Sequence, residues 1–132
     1  MNLTIIPPSW TPMLTAALRI MTGLLFLEHG SGKLLHFPAL PNVDQIPAMI
    51  LYATGFLELI GGALITIGLF TRPVAFLLAG NMAVAYFMAH FPRSFFPAVN
   101  QGDAAILFCF VFLFFAAAGA GRWSVDNAVS AA

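Results

Sequence analysis

Residues 47–73 read PAMILYATGFLELIGGALITIGLFTRP, and between the two bounding prolines the only charged side chains are Glu58 and Arg72. About 20 apolar residues suffice for a helix to cross the hydrocarbon core of a bilayer. The run is continuous rather than alternating, which argues against a β-barrel strand, and a helix satisfies its own backbone in lipid. The stretch therefore predicts a membrane-spanning helix opened by Pro47 and reaching Phe70. Thr71-Arg72-Pro73 follows as a very tight turn into the next span.

Working outward, proline and glycine divide the rest of the chain into three similar segments. The first runs from about Met13 to Leu35, after the Pro7, Pro8, Pro12 lead that carries Trp10. The third runs from Pro73 to about Phe91, and the last from Asp103 to Gly119. The expected spans are thus 13–35, 47–70, 73–91 and 103–119, in one domain without an internal repeat. The expected architecture is an all-α membrane protein, an antiparallel four-helix transmembrane bundle running up-down-up-down.

Composition agrees. Of 132 residues 61% are hydrophobic and 8% charged, with a mean hydropathy of +0.94, whereas a soluble domain carries about a quarter charged residues. Five cations balance five acids with no basic cluster, which excludes nucleic acid as an expected partner. The single cysteine, Cys109, forms no disulfide, redox pair or thiolate metal site within one chain and reads as a small apolar side chain. The opening residues lack the basic region of a signal peptide, so the first helix is expected to be retained. Arg19, Arg72, Arg122 and the amino terminus fall toward one face, against Lys33 and Arg93 toward the other. The positive-inside rule then places both termini in the cytoplasm. Trp10 and Trp123 fall at the aromatic belt of the first face.

Ionisable residues at membrane depth are costly and commonly face the bundle interior. With about 1.5 Å of rise per residue, Arg19 lies roughly 9 Å, Asn81 roughly 12 Å and Glu58 roughly 18 Å in from one face. The long guanidinium arm leaves a direct or water-bridged Arg19–Glu58 contact open. Helical phase puts Thr15, Thr22, Gly23, Gly30 and Lys33 within about 60° of Arg19. Gly55, Gly62 and Thr66 flank Glu58, and small residues beside a polar one mark a face pressed against another helix. Arg19, Glu58 and Asn81 are therefore expected to form an interior polar cluster. It acts as glue that sets helix register, as the binding site for the polar head of a lipophilic ligand such as a quinone, or as a proton relay.

In FLEHGSGKL, residues 26–34, His29 lies about 40° from Lys33 and forms an inward edge with it, while Glu28 falls about 180° from Arg19 and points outward. His90 falls about 180° from Asn81 and out of the expected interior, which leaves a His29–His90 haem pair little support. His29, His36 and Asp44 lack ligand spacing, so no metal site is expected. Asn100 reads as an N-cap, with Asp103 at the third helical position near the positive end of the helix dipole. A bridge from Arg72 or Arg122 to Asp126 would staple the bundle end. No hydrolase triad, phosphate loop or dinucleotide fingerprint is present.

Four segments in order resemble the DoxX family of small four-helix membrane proteins. They are LRIMTGLLFLEHGSGKL, GFLELIGGALITIGLFTRPVA, NQGDAAIL and GAGRWSVD, and together they cover most of the chain from about Leu18 to Asp126. Carried over by position, the resemblance singles out Arg19, His29, Gly30, Lys33, Glu58, Gly61, Gly62, Arg72, Arg122, Ser124 and Asp126. Asp103 departs from the family, which commonly has Glu there. The resemblance implies an integral protein of a prokaryotic cytoplasmic membrane, serving a membrane or peripheral redox complex with quinone as the implied ligand. No cofactor is expected to be intrinsic to the chain, so a partner would hold the electron carrier. A structural scaffold subunit, a homo-oligomer and, with less support, a small-solute transporter remain as alternatives.

Overall fold

The computed structural model describes residues 3–131, and among them every regular element is helical. α1 spans Thr11–Leu35 and α2 Ala48–Ile67. α3 spans Thr71–Ala85 and continues through a π-turn, Tyr86–His90, and a 3-10 turn, Phe91–Arg93. The short α4, Pro97–Asn100, precedes α5, Asp103–Ala118, and α6, Val125–Ser130, ends the described chain. Among the described residues three helices are long and apolar enough to cross a membrane, Pro8–Leu35, Ala48–Ile67 and Thr71–Arg93; Asp103–Ala118 is apolar but shorter.

Two helix ends differ from the expected spans for local reasons. α2 stops at Ile67 because Gly68 takes a left-handed φ of 70°, and a Schellman pair follows: Gly68 N–H donates to Ile65 and Leu69 N–H to Leu64. α3 then starts at Thr71 rather than Pro73. Proline is tolerated there because the first turn has no intrahelical use for its missing N–H.

α1 packs on α2 along a glycine seam. A Cβ on Gly62 would lie 2.6 Å from the Leu27 nitrogen, and one on Gly30 would lie 2.7 Å from the Leu59 Cα. Gly23 faces Thr66 and Gly55 faces Leu34, so the two helices run in opposite directions. Small residues let backbones approach closely, which matters where lipid removes the hydrophobic drive between helices. α3 and α5 form a second antiparallel pair: Arg72 reaches the Ala116 carbonyl at one end, and Tyr86 meets Gly102 at the other.

Phe26 joins the pairs by setting its ring edge-on to Phe112 at 4.9 Å, in a core with Ile65, Ala75, Leu78 and Phe115. Large apolar side chains such as Leu18, Phe56, Phe76 and Phe110 face outward, a surface suited to lipid and not to water.

Candidate functional site

The pairs part at the end formed by the finish of α1, the start of α2, the finish of α3 and the start of α5. Between them lies a cavity of about 900 Å³, within the range of small-molecule sites. Phe26 and Phe108 supply an aromatic wall, and residues of the α1–α2 connection from Leu40 to Pro47 line another side.

Lys33 and Glu58 meet in this cavity. Lys33 Nζ lies 2.6 Å from Glu58 Oε1 and donates to Thr54 Oγ1 at 3.1 Å. Glu58 is 3% exposed, yet its Oε2 has no hydrogen-bond partner, and neither has Asn81 Nδ2. Both residues line the cavity. Gly61 of α2 packs on Leu78 of α3, so Glu58, one turn before Gly61, is level with Asn81, one turn after Leu78.

His29 and His90 line the same space. Each sets Nδ1 against a backbone carbonyl, Leu25 at 2.7 Å and Asn100 at 3.0 Å. A carbonyl only accepts, which assigns the proton to Nδ1 and leaves Nε2 of the neutral ring as an acceptor. The inclusion of His90 overturns the phase argument against it. Regular 100° steps would carry it away from Asn81, but the π-turn takes extra residues per turn and so rotates the end of the helix. Arg93 and Gln101 add to the polar lining, as do Asn42 and Gln45 of the α1–α2 connection. Helical phase pointed His90 outward, and nothing in the sequence singled out Thr54, Arg93 or Gln101 for this site; only the tertiary arrangement brings them here.

Arg19 belongs elsewhere. It is fully buried at the opposite end and makes no contact with Glu58, a correction to the expected cluster. Its Nε donates to Ala120 O at 2.8 Å and Nη1 to Ile65 O at 2.7 Å and to Thr66 O. Nη2 donates to Trp123 O at 2.8 Å and Arg122 O at 3.4 Å. The guanidinium thus fills the carbonyl-rich ends of α2 and α5, where unpaired carbonyls gather the negative end of the helix dipole.

Asp126 likewise meets no arginine side chain. Its carboxylate accepts from Phe70 N–H at 2.7 Å and Thr71 N–H at 2.8 Å, capping α3 from α6. Burial opposes its ionisation, but these hydrogen bonds and the Arg19 charge outweigh that and hold the carboxyl below its ordinary range. Arg72 instead donates to the carbonyls of Ala116 at 3.2 Å, Ala117, and Ala118 at 3.5 Å. The Arg122 side chain is exposed, while its N–H donates to Pro12 O. The bundle end is therefore stapled through backbone groups and not through an arginine–aspartate bridge.

Asp103 is exposed and is the first residue of α5, not the third. Asn100 is buried and does not cap α5 directly: its Oδ1 accepts from Gly102 N–H at 2.7 Å while Nδ2 donates to Ser94 O at 2.9 Å. Among the described residues no three His, Cys, Asp or Glu side chains converge as a metal site would require. The polar residues thus divide into two groups: a cavity group of Lys33, Glu58, Asn81 and the two histidines, and a clamp of Arg19, Arg72 and Asp126.

Residues 14–91 match the DoxX family. An uncharacterized protein of Haemophilus influenzae is 37% identical over 123 residues, covering 89% of this chain and 92% of its own. An uncharacterized membrane protein of Mycobacterium tuberculosis is 28% identical over 148 residues, covering 93% of this chain and 90% of its own. A Bacillus subtilis protein named "Putative oxidoreductase CatD" is 37% identical over 71 residues, covering 49% of this chain and 51% of its own. No solved structure matches. With the family matched over more than half of its length and a relative similar almost end to end, the chain belongs to the DoxX family of integral membrane proteins.

Proposed function

We propose that this protein is a small subunit of, or accessory to, a membrane oxidoreductase, and that its cavity holds a lipophilic redox ligand of the quinone type. The observation that carries the reading is the large cavity lined by the Lys33–Glu58 pair, Asn81 and two histidines between aromatic and apolar walls. A quinone ring fits these residues. Lys33 Nζ can donate to a ring oxygen, and Phe26 and Phe108 can pack on the ring. The apolar lining, among it Ile50, Ala53 and Met88, suits a prenyl tail. Such a ligand would supply two-electron, two-proton chemistry, while the chain binds it, orients it and exchanges hydrogen bonds with it.

In this reading α1, α2, α3 and α5 form a single transmembrane domain that crosses a bacterial cytoplasmic membrane up-down-up-down, with both termini cytoplasmic. Electrons pass to a partner protein that carries its own cofactor. The name of the Bacillus subtilis relative lends oxidoreductase association some support. The test is gentle purification from native membranes, with bound lipophiles and co-purifying proteins identified by mass spectrometry. The expected result is a quinone at near-equal stoichiometry, depleted by Lys33→Met. A protein that is free of quinone yet held in a fixed-stoichiometry assembly would instead make it a scaffold.

A further inference from the structure

At the mouth of the cavity the charges do not balance. Among the described residues Glu58 is the only acid in the lining, and it is buried and paired with Lys33. Glu28, Asp44 and Asp103 are exposed and stand outside the lining. Arg93 ends the third span, lines the cavity and is exposed. Arg19 and Arg72 spend their guanidinium groups on carbonyls, whereas Arg93 pairs with no acid among the described residues. Gln101, just before α5, adds an exposed amide to the same lining. The accessible polar surface here therefore offers donors and one unneutralised positive charge, the complement of an anion.

The surroundings of Arg93 select the kind of anion. Phe87 and Phe91 set their rings 5.7 Å apart, Phe91 and Phe95 6.3 Å, and Phe95 and Phe96 5.5 Å. All four rings are exposed, so an aromatic ladder runs from the end of α3 onto the connection to α5, on both sides of Arg93 in the chain. A cation set among exposed aromatic rings at the end of a span belongs at the headgroup level of a bilayer. Met88, Ala89 and Ala104 continue the cavity lining as apolar surface. A water-soluble anion would leave that surface uncovered. A phosphate that carries acyl chains covers it.

We propose that the mouth of the cavity binds one acidic phospholipid. Its phosphate accepts hydrogen bonds from Arg93 and Gln101, and one acyl chain lies in the cleft against Met88 and Ala104. A guanidinium and a phosphate match as bidentate partners. The inference goes beyond the redox-lipophile reading and does not depend on it, since it concerns the mouth and not the Lys33–Glu58 end.

Native mass spectrometry of the purified full-length protein in detergent micelles tests this, because it counts bound lipids one at a time. The probes are dioleoyl phosphatidylglycerol, dioleoyl phosphatidylcholine and inorganic phosphate. The expected result is one phosphatidylglycerol held about fivefold more tightly than phosphatidylcholine, the preference that a single cation gives at a membrane surface. Arg93→Gln should reduce that preference to below about twofold. Arg122→Gln, which removes an exposed cation at the opposite end, should leave it unchanged. An excess of inorganic phosphate should not displace the lipid. Equal affinity for the two lipids, equal loss of preference in both variants, or displacement by inorganic phosphate overturns the inference. Quinone content bears on the proposed function alone, so the two readings fail separately. The wild-type comparison of the two lipids decides the matter even where a variant does not fold.

Discussion

Replacing Arg19 by Met separates the clamp from the cavity. The substitution keeps a long apolar stem but removes every donor from carbonyls on three chain segments: Ile65 and Thr66, Ala120, and Arg122 with Trp123. Three of these bonds, to Ala120, Ile65 and Trp123, have lengths of 2.7–2.8 Å. Side-chain hydrogen bonds inside membrane proteins contribute roughly 0.6–1.7 kcal/mol each, so the expected loss is about 2–5 kcal/mol. Reversible unfolding in mixed micelles, followed by tryptophan fluorescence, measures it, since Trp123 carries one of the released carbonyls. Quinone affinity should be unchanged under conditions where the variant is folded, because Arg19 does not line the cavity. A variant as stable as wild type, or one with normal stability and a tenfold loss of ligand affinity, would refute the division of the polar residues into two groups.

Lys33→Met leaves Glu58 as a buried charge without its cation, and breaking such a pair costs about 3–5 kcal/mol. The expected loss lies toward the lower end because Lys33 is 16% exposed, and Lys33→Met combined with Glu58→Leu should restore most of it in the same unfolding assay. Asp126 has a folded pKa below its unfolded one, so its contribution is full above the ordinary carboxylate range and is lost as pH falls through the lowered folded value. Acid unfolding curves should therefore show a destabilising limb below about pH 4 that Asp126→Asn flattens, while lowering stability at neutral pH by about 1 kcal/mol through the weakened cap.

The helical segments were legible from hydropathy because burying a backbone in lipid leaves few alternatives to a helix. Their inner faces were partly legible too, since Gly23, Gly30, Gly55 and Gly62 recur at seven-residue spacing and do form the α1–α2 seam. The aromatic run of α5 was less so: Phe112 and Phe115 are fully buried while Leu107 and Phe110 face out, and a helix apolar on every side carries no periodic signal. Helix ends shifted by a few residues where Gly68 and Pro73 act through backbone conformation, which hydropathy does not register.

The sequence by itself determined the class of protein, roughly where its apolar helices run and that Arg19 and Glu58, charged within them, must find partners. Only the tertiary structure decided the partners. Arg19 is satisfied by backbone carbonyls and Asp126 by backbone N–H groups, and nearly every residue type carries these, so no pattern of side chains points to them. Glu58 takes Lys33 instead of Arg19, and a π-turn brings His90 to the cavity, because helix packing and local winding set which deep groups meet.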